Sequence, residues 1–159
     1  NAEKGELKNA LNMFNKSLEI NPDYPDALNN IANIFMEERK LIEAIDIFKK
    51  VLALKPDYEI TRSRKLHEQA HICDWEGIEN DRRFIPHLGT TKQSIVPFTL
   101  FSLEDVPESH KKRSEIYAKN RFSQAPLLLE SKLNNYKKPI RIGYFSSDFR
   151  EHPVAYLLA

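Results

Sequence analysis

The sequence predicts a mostly α-helical chain, a superhelix of paired antiparallel helices followed by a linker and the first β-α unit of a truncated α/β domain. Three observations carry that expectation. The chain matches itself at an offset of 34 residues, the apolar residues of each half-period recur at i, i+3, i+4 and i+7, and the compact run "IRIGYFS" near the end has no helical spacing.

Composition sets the outer limits. With 159 residues, 41% of them hydrophobic and 30% charged, the chain is of the ordinary globular class and long enough to bury a core. Lys and Arg (24) nearly balance Asp and Glu (23), so no global field points toward nucleic acid or an anionic membrane. The single Cys73 cannot close an intramolecular disulfide, and no apolar run approaches the roughly 18 residues of a membrane span, so a reducing, cytoplasmic setting is expected. Asn1 falls within a helical pattern and the chain stops one helix into its last domain, so the sequence reads as a fragment clipped at both ends.

At the offset of 34, Ala10, Phe14, Leu18 and Pro22 meet Ala44, Phe48, Leu52 and Pro56, and "NPDY" is answered by "KPDY". That period, with Ala and an aromatic four residues apart ahead of a closing Pro, is the tetratricopeptide pattern. In the complete repeat Leu28, Ile31, Ala32 and Phe35 form the apolar face of a first helix, and Ala44, Ile45, Phe48, Val51 and Leu52 that of a second. Pro25 and Pro56 stand at the helix boundaries, where a missing N–H does no harm, and "ERK" supplies the turn. Residues 1–58 therefore hold one partial and one complete repeat. Residues 59–88 continue the pattern through Leu66, Ala70 and Cys73, then Trp75, Ile78, Phe84 and Leu88, with the consensus decayed, as a degenerate pair that closes the superhelix.

That closing pair contains "HEQAH", His67 to His71. Two His at i and i+4 share a helical face and can grip one Zn²⁺, with Glu68 placed to activate bound water. The extended form of the motif fails, because no third His follows at the required offset, which leaves a distant Glu79 or His87 as the candidate third ligand, and "SRKL" puts two cations just before the motif. The motif is therefore read as a polar helix face, with no metal site expected, and a zinc hydrolase as an alternative.

Residues 89–138 read as a packed linker with one helix, begun by Pro107 and running to about Phe122, with Ile116, Tyr117 and Phe122 as its buried residues and "HKKRSEIYAKNR" as a basic exposed face. Residues 139–159 open an α/β domain. Ile140, Ile142, Tyr144 and Phe145 make a strand covered on both sides, "SSDFRE" turns, and Pro153 begins a helix. Loops beyond the carboxyl ends of such strands meet the ligand crevice, which points to Ser146, Ser147, Asp148 and His152.

Taken in order, "PDALNNIANIF", "CDWEGIE", "VPFTLFSLEDVP" and "IRIGYFSSDFREHPVAYLL" resemble the tetratricopeptide-containing protein O-linked N-acetylglucosamine transferases, especially the bacterial ones. The resemblance implies an inverting, metal-independent hexosyltransferase that moves N-acetylglucosamine from UDP-GlcNAc to Ser or Thr hydroxyls of proteins, with no cofactor. It implies a two-lobed glycosyltransferase domain of which residues 139–159 are the opening. His152 matches the active-site histidine of the family's "DFxxHP" motif, and Ser147 and Asp148 stand beside it as substrate-binding candidates. Asn30, in "LNNIAN", matches the asparagine that holds the acceptor backbone along the repeat groove, where a carboxamide offers donor and acceptor together. Arg64 occupies the equivalent place one repeat on and interrupts that row. The second lobe and its diphosphate contacts are missing, so these residues alone are expected to be inactive. The competing reading is a non-catalytic repeat module that recruits protein partners.

Overall fold

The computed structural model describes residues 2–91 and 93–122. Among them the order is α1 (Ala2–Ile20), α2 (Pro25–Glu37), α3 (Leu41–Leu54), α4 (Glu59–His71), α5 (Trp75–Asp81) and α6 (Pro107–Arg121). A 3₁₀ segment over Arg82–His87 follows α5, and another over Pro97–Leu100 lies in the connector. Helix α2 packs on α1 and α3, α3 on α4, and α4 on α5 and the second 3₁₀ segment.

The period of 34 is written in the backbone as well as in the side chains. After α2, Lys40 N–H reaches back to Phe35 C=O at 2.9 Å, and after α4, Asp74 N–H reaches Gln69 C=O at 2.8 Å. Both bonds span five residues around a left-handed residue, Arg39 (φ 61°) and Cys73 (φ 59°), in the manner of a Schellman closure. The closing pair therefore keeps the turn geometry of the complete repeat although its residues have diverged. Cys73, expected on the apolar face, is exposed because it forms this turn.

In the complete repeat Ala32, Ala44 and Phe48 are buried together at 0% exposure, with Phe35, Met36 and Ile47 against them. The two alanines bring α2 and α3 close enough for one phenyl ring to fill the gap. A second core joins the closing pair to the connector through Leu66, Ile78, Ile85, Leu88, Ile95 and Leu100. The connector is thus packed, as its composition predicts. Gly89 makes that packing possible: it adopts φ +69°, and a Cβ there would come within 2.4 Å of Ile95.

Two elements depart from the sequence expectation. The second helix of the closing pair, expected over residues 75–88, is α-helical only to Asp81, because Pro86 has no N–H for Arg82 C=O and the backbone tightens to 3₁₀ instead. Trp75 stands at its exposed start, whereas Ile78 and Leu88 are buried as predicted. Helix α6 ends near the expected residue, but its apolar residues do not bury it. Ile116 and Tyr117 are half-buried, Phe122 is exposed, and the one buried side chain is Arg113, from within the run read as an exposed basic face.

The start of α5 is set by Asp74, whose Oδ1 accepts from Gly77 N–H at 2.9 Å while Oδ2 accepts from Gln69 Nε2 at 2.8 Å. Gly77 leaves room for this pair, since a Cβ there would lie 1.9 Å from that amide nitrogen and would force the Gln69 and Asp74 side chains to shift. The Gln69 hydrogen bond, followed by the Gly77 N–H, holds the Asp74 carboxyl below its usual range. A folded-state value below the unfolded one gives stability that is present above the unfolded pKa and is lost as pH falls through the folded one. Asp74→Ala is therefore expected to cost about 1 kcal/mol near pH 7. In urea titrations the gap between wild type and variant should narrow as pH drops below about 4, and a gap independent of pH would show that the carboxylate's charge has no part in the cap.

Candidate functional site

Helices α2 and α4 are first helices of successive pairs, and polar side chains join them. Thr61 Oγ1 donates to Asn29 Oδ1 at 2.8 Å, Arg64 donates to the carboxamide oxygen of Asn33, and the Tyr58 hydroxyl donates to Asp26 at 3.3 Å. Burial and then the nearby Asp26 charge raise the Tyr58 pKa, so the phenol stays protonated as the donor. Asn29 is buried and fixed by Thr61, whereas the adjoining Asn30 is half-buried and its side chain makes no hydrogen bond to another described residue. Of the two asparagines, Asn30 is the one whose side chain has no hydrogen bond among the described residues. Arg64, one repeat on from Asn30, is committed to Asn33.

Sequence spacing alone did not separate Asn29 from Asn30, because what distinguishes them is the Thr61 hydroxyl that α4 sets opposite one of them. Of the predicted site residues, Asn30 lies on α2 within the described structure. Ser147, Asp148 and His152, together with the β-α unit of residues 139–159, lie outside the described residues.

A groove of about 1100 Å³ lies at the C-terminal ends of α2 and α4 and is lined by none of these seam residues. Its walls are Leu7 and Leu11 of α1, Met36 and the turn to α3, and Glu68 and His71 of α4. Within it the "HEQAH" stretch is not a uniform polar face. Glu68 is buried, His67 half-buried and His71 exposed, and His71 Nδ1 lies 3.3 Å from Glu68 Oε2. The two imidazoles lie 4.4 Å apart between centroids, and the edge of Phe98 approaches His67 at 6.3 Å.

The closing pair is fixed by charge. Asp81 receives Arg62 at 2.7 Å and Lys65 at 2.8 Å, all three nearly excluded from water, and the Arg62 guanidinium lies 3.9 Å from the centroid of the Phe84 ring. At the start of α4, Glu59 accepts from Gly89 N–H and from the Thr91 hydroxyl, while Gln93 bridges Glu59 N–H and Asp57 C=O. These contacts hold the connector against the last repeat.

The helical pairs, their period and their stacked first helices give the first part of the chain the arrangement of tetratricopeptide repeats. Residues 2–38 match the family model described as TPR repeat, and residues 25–58 match the one described as Tetratricopeptide repeat. No curated protein and no solved structure matches the chain. Among the described residues no helix is long and apolar enough to cross a membrane.

Proposed function

We propose that the repeats bind an extended segment of a protein partner, and that this partner is the acceptor of a protein O-N-acetylglucosamine transferase of which this chain is part. The observation that carries the binding reading is Asn30, a half-buried carboxamide left without a described partner between neighbours that are paired. Such a group pairs with a peptide backbone whatever the side chains are, which suits a binder of many acceptors. The transferase reading rests on the order of the sequence motifs, above all "SSDFREHP" with His152. In that reading UDP-GlcNAc is the donor, His152 faces the reacting sugar and acceptor, Ser147 and Asp148 help hold the substrates, and the setting is cytoplasmic.

In the full-length protein, His152→Ala is expected to lower sugar transfer by at least about tenfold without changing the helical content, the usual range for losing an acid-base group. Turnover equal to wild type removes the transferase role of this residue. Asn30→Ala is expected to weaken transfer to protein acceptors while sparing a free short acceptor, and an equal loss on both would argue against a groove contact. The second reading, an interaction module without catalysis, is favoured if partner binding depends on Asn30 and no UDP-GlcNAc turnover is found.

A further inference from the structure

We propose that α4 carries a divalent transition-metal site formed by His67, Glu68 and His71. One ligand atom from each of the three lies within 4.8 Å of the others. Bonds of about 2.0–2.1 Å to a tetrahedral ion imply ligand atoms roughly 3.3–3.4 Å apart. The His71 Nδ1 to Glu68 Oε2 separation of 3.3 Å already meets that edge. The other separations reach at most 4.8 Å, and the site requires the His67 imidazole, which shares a helical face with His71 at 4.4 Å between centroids, to rotate toward them.

The surroundings favour a cation. The Glu68 side chain is 6% exposed, and His71 is its one hydrogen-bond partner among the described residues. A buried carboxylate so placed is costly unless a positive charge meets it. The cations on the same helix are engaged elsewhere, Arg62 and Lys65 with Asp81 and Arg64 with Asn33; of those lining the same groove, Lys40 pairs with Glu38, and Lys8 and Arg39 make no ion pair with Glu68 among the described residues. His71 is about half-exposed and lines the groove together with Glu68, which gives an ion a way in and leaves a fourth position for water. Two imidazoles and one carboxylate suit Zn²⁺ and its neighbours rather than Ca²⁺ or Mg²⁺. With Glu68 serving as a ligand, no base remains in the motif to activate water, so this is a binding site and not the hydrolase centre that the motif otherwise suggests.

The test is titration of the whole chain with Zn²⁺ against a chromogenic chelator, with Co²⁺ absorption reporting the coordination geometry. One ion per chain is expected at about micromolar affinity or tighter, with a tetrahedral Co²⁺ spectrum. His67→Ala, His71→Ala and Glu68→Gln are each expected to weaken binding at least about tenfold. His87→Ala and His110→Ala, which alter the other described histidines, should leave it unchanged. Wild-type affinity weaker than about 100 μM, or unchanged affinity in any one of the first three variants, overturns the site. Far-UV circular dichroism of the metal-free variants, expected to match wild type, guards against loss of folding being read as loss of a ligand.

Discussion

Arg113→Met is expected to lower the free energy of unfolding by about 3–5 kcal/mol, which at a typical urea dependence moves the midpoint down by roughly 2 M. The guanidinium is wholly buried. Its Nε donates to Leu88 C=O and Nη2 to Ile85 C=O, each at 2.7 Å, while Nη1 donates to the Glu104 carboxylate. Both carbonyls lie at the end of the 3₁₀ segment after α5, where Ile85 C=O also accepts from Leu88 N–H at 3.2 Å but Leu88 C=O has no other donor among the described residues. Removing Arg113 strands Leu88 C=O together with a carboxylate that is 8% exposed, and leaves Ile85 C=O with the Leu88 N–H alone. His110 completes the hub: its Nε2–H donates to Glu104 C=O at 2.8 Å, and its Nδ1 lies 3.4 Å from Arg113 Nη1. If the stranded charge is the main cost, Glu104→Gln added to Arg113→Met should recover part of the loss. No recovery in the double variant would place the cost in the lost packing or the two carbonyls instead.

Arg113 also marks where sequence reading stopped. The repeats were legible because their cores are apolar and periodic: Ala44 and Phe48 are named by the offset of 34 and by the helical period alike, Ala32 by the helical period, and all are buried. The packed connector was legible from its prolines and short apolar clusters, and Ile95 and Leu100 lie in the core. Helix α4 was not legible in the same way. Among its buried residues, Thr61, Arg62, Ser63, Lys65, Glu68 and Gln69 are polar, and Leu66 is the one large apolar residue. It is covered by α3, α5 and the 3₁₀ segment of the connector, and a helix enclosed on several sides buries a wide arc whatever residues lie on it. Hydrophobic period cannot reveal such a helix, because its stability comes from pairs that meet only in three dimensions.

The same limit applies to the candidate site. Asn30 was reachable from the motif "LNNIAN", but the pairing of Asn29 with Thr61 and of Asn33 with Arg64, which leaves Asn30 without a hydrogen-bond partner among the described residues, depends on how α2 and α4 stack. The "HEQAH" motif was visible at once, yet its offsets to a third distant ligand argued against a metal. The burial of Glu68 against His71, which supplies a third ligand from inside the motif, is a consequence of α4 lying between two layers. Polar burial on α4 thus underlies the groove seam, the metal proposal and the cohesion of the closing pair at once.

Asp81→Ala tests that cohesion most directly, with an expected loss of about 3–5 kcal/mol. Asp81 is the single carboxylate meeting both Arg62 Nη1 at 2.7 Å and Lys65 Nζ at 2.8 Å, and each of the three side chains is 9% exposed. Truncating it leaves two buried cations facing each other across the space it held, so repulsion adds to desolvation. Arg62 retains the Pro56 C=O at 2.8 Å and the face of Phe84, which limits its own displacement. Lys65 has no such second anchor among the described residues and is the side chain expected to swing toward solvent. Lys65→Met in the Asp81→Ala background should therefore restore more stability than Arg62→Met does. The opposite order in urea titrations would show that the guanidinium, not the ammonium, carries the uncompensated charge, and would move the weak point of the closing pair from the middle of α4 to its first turn.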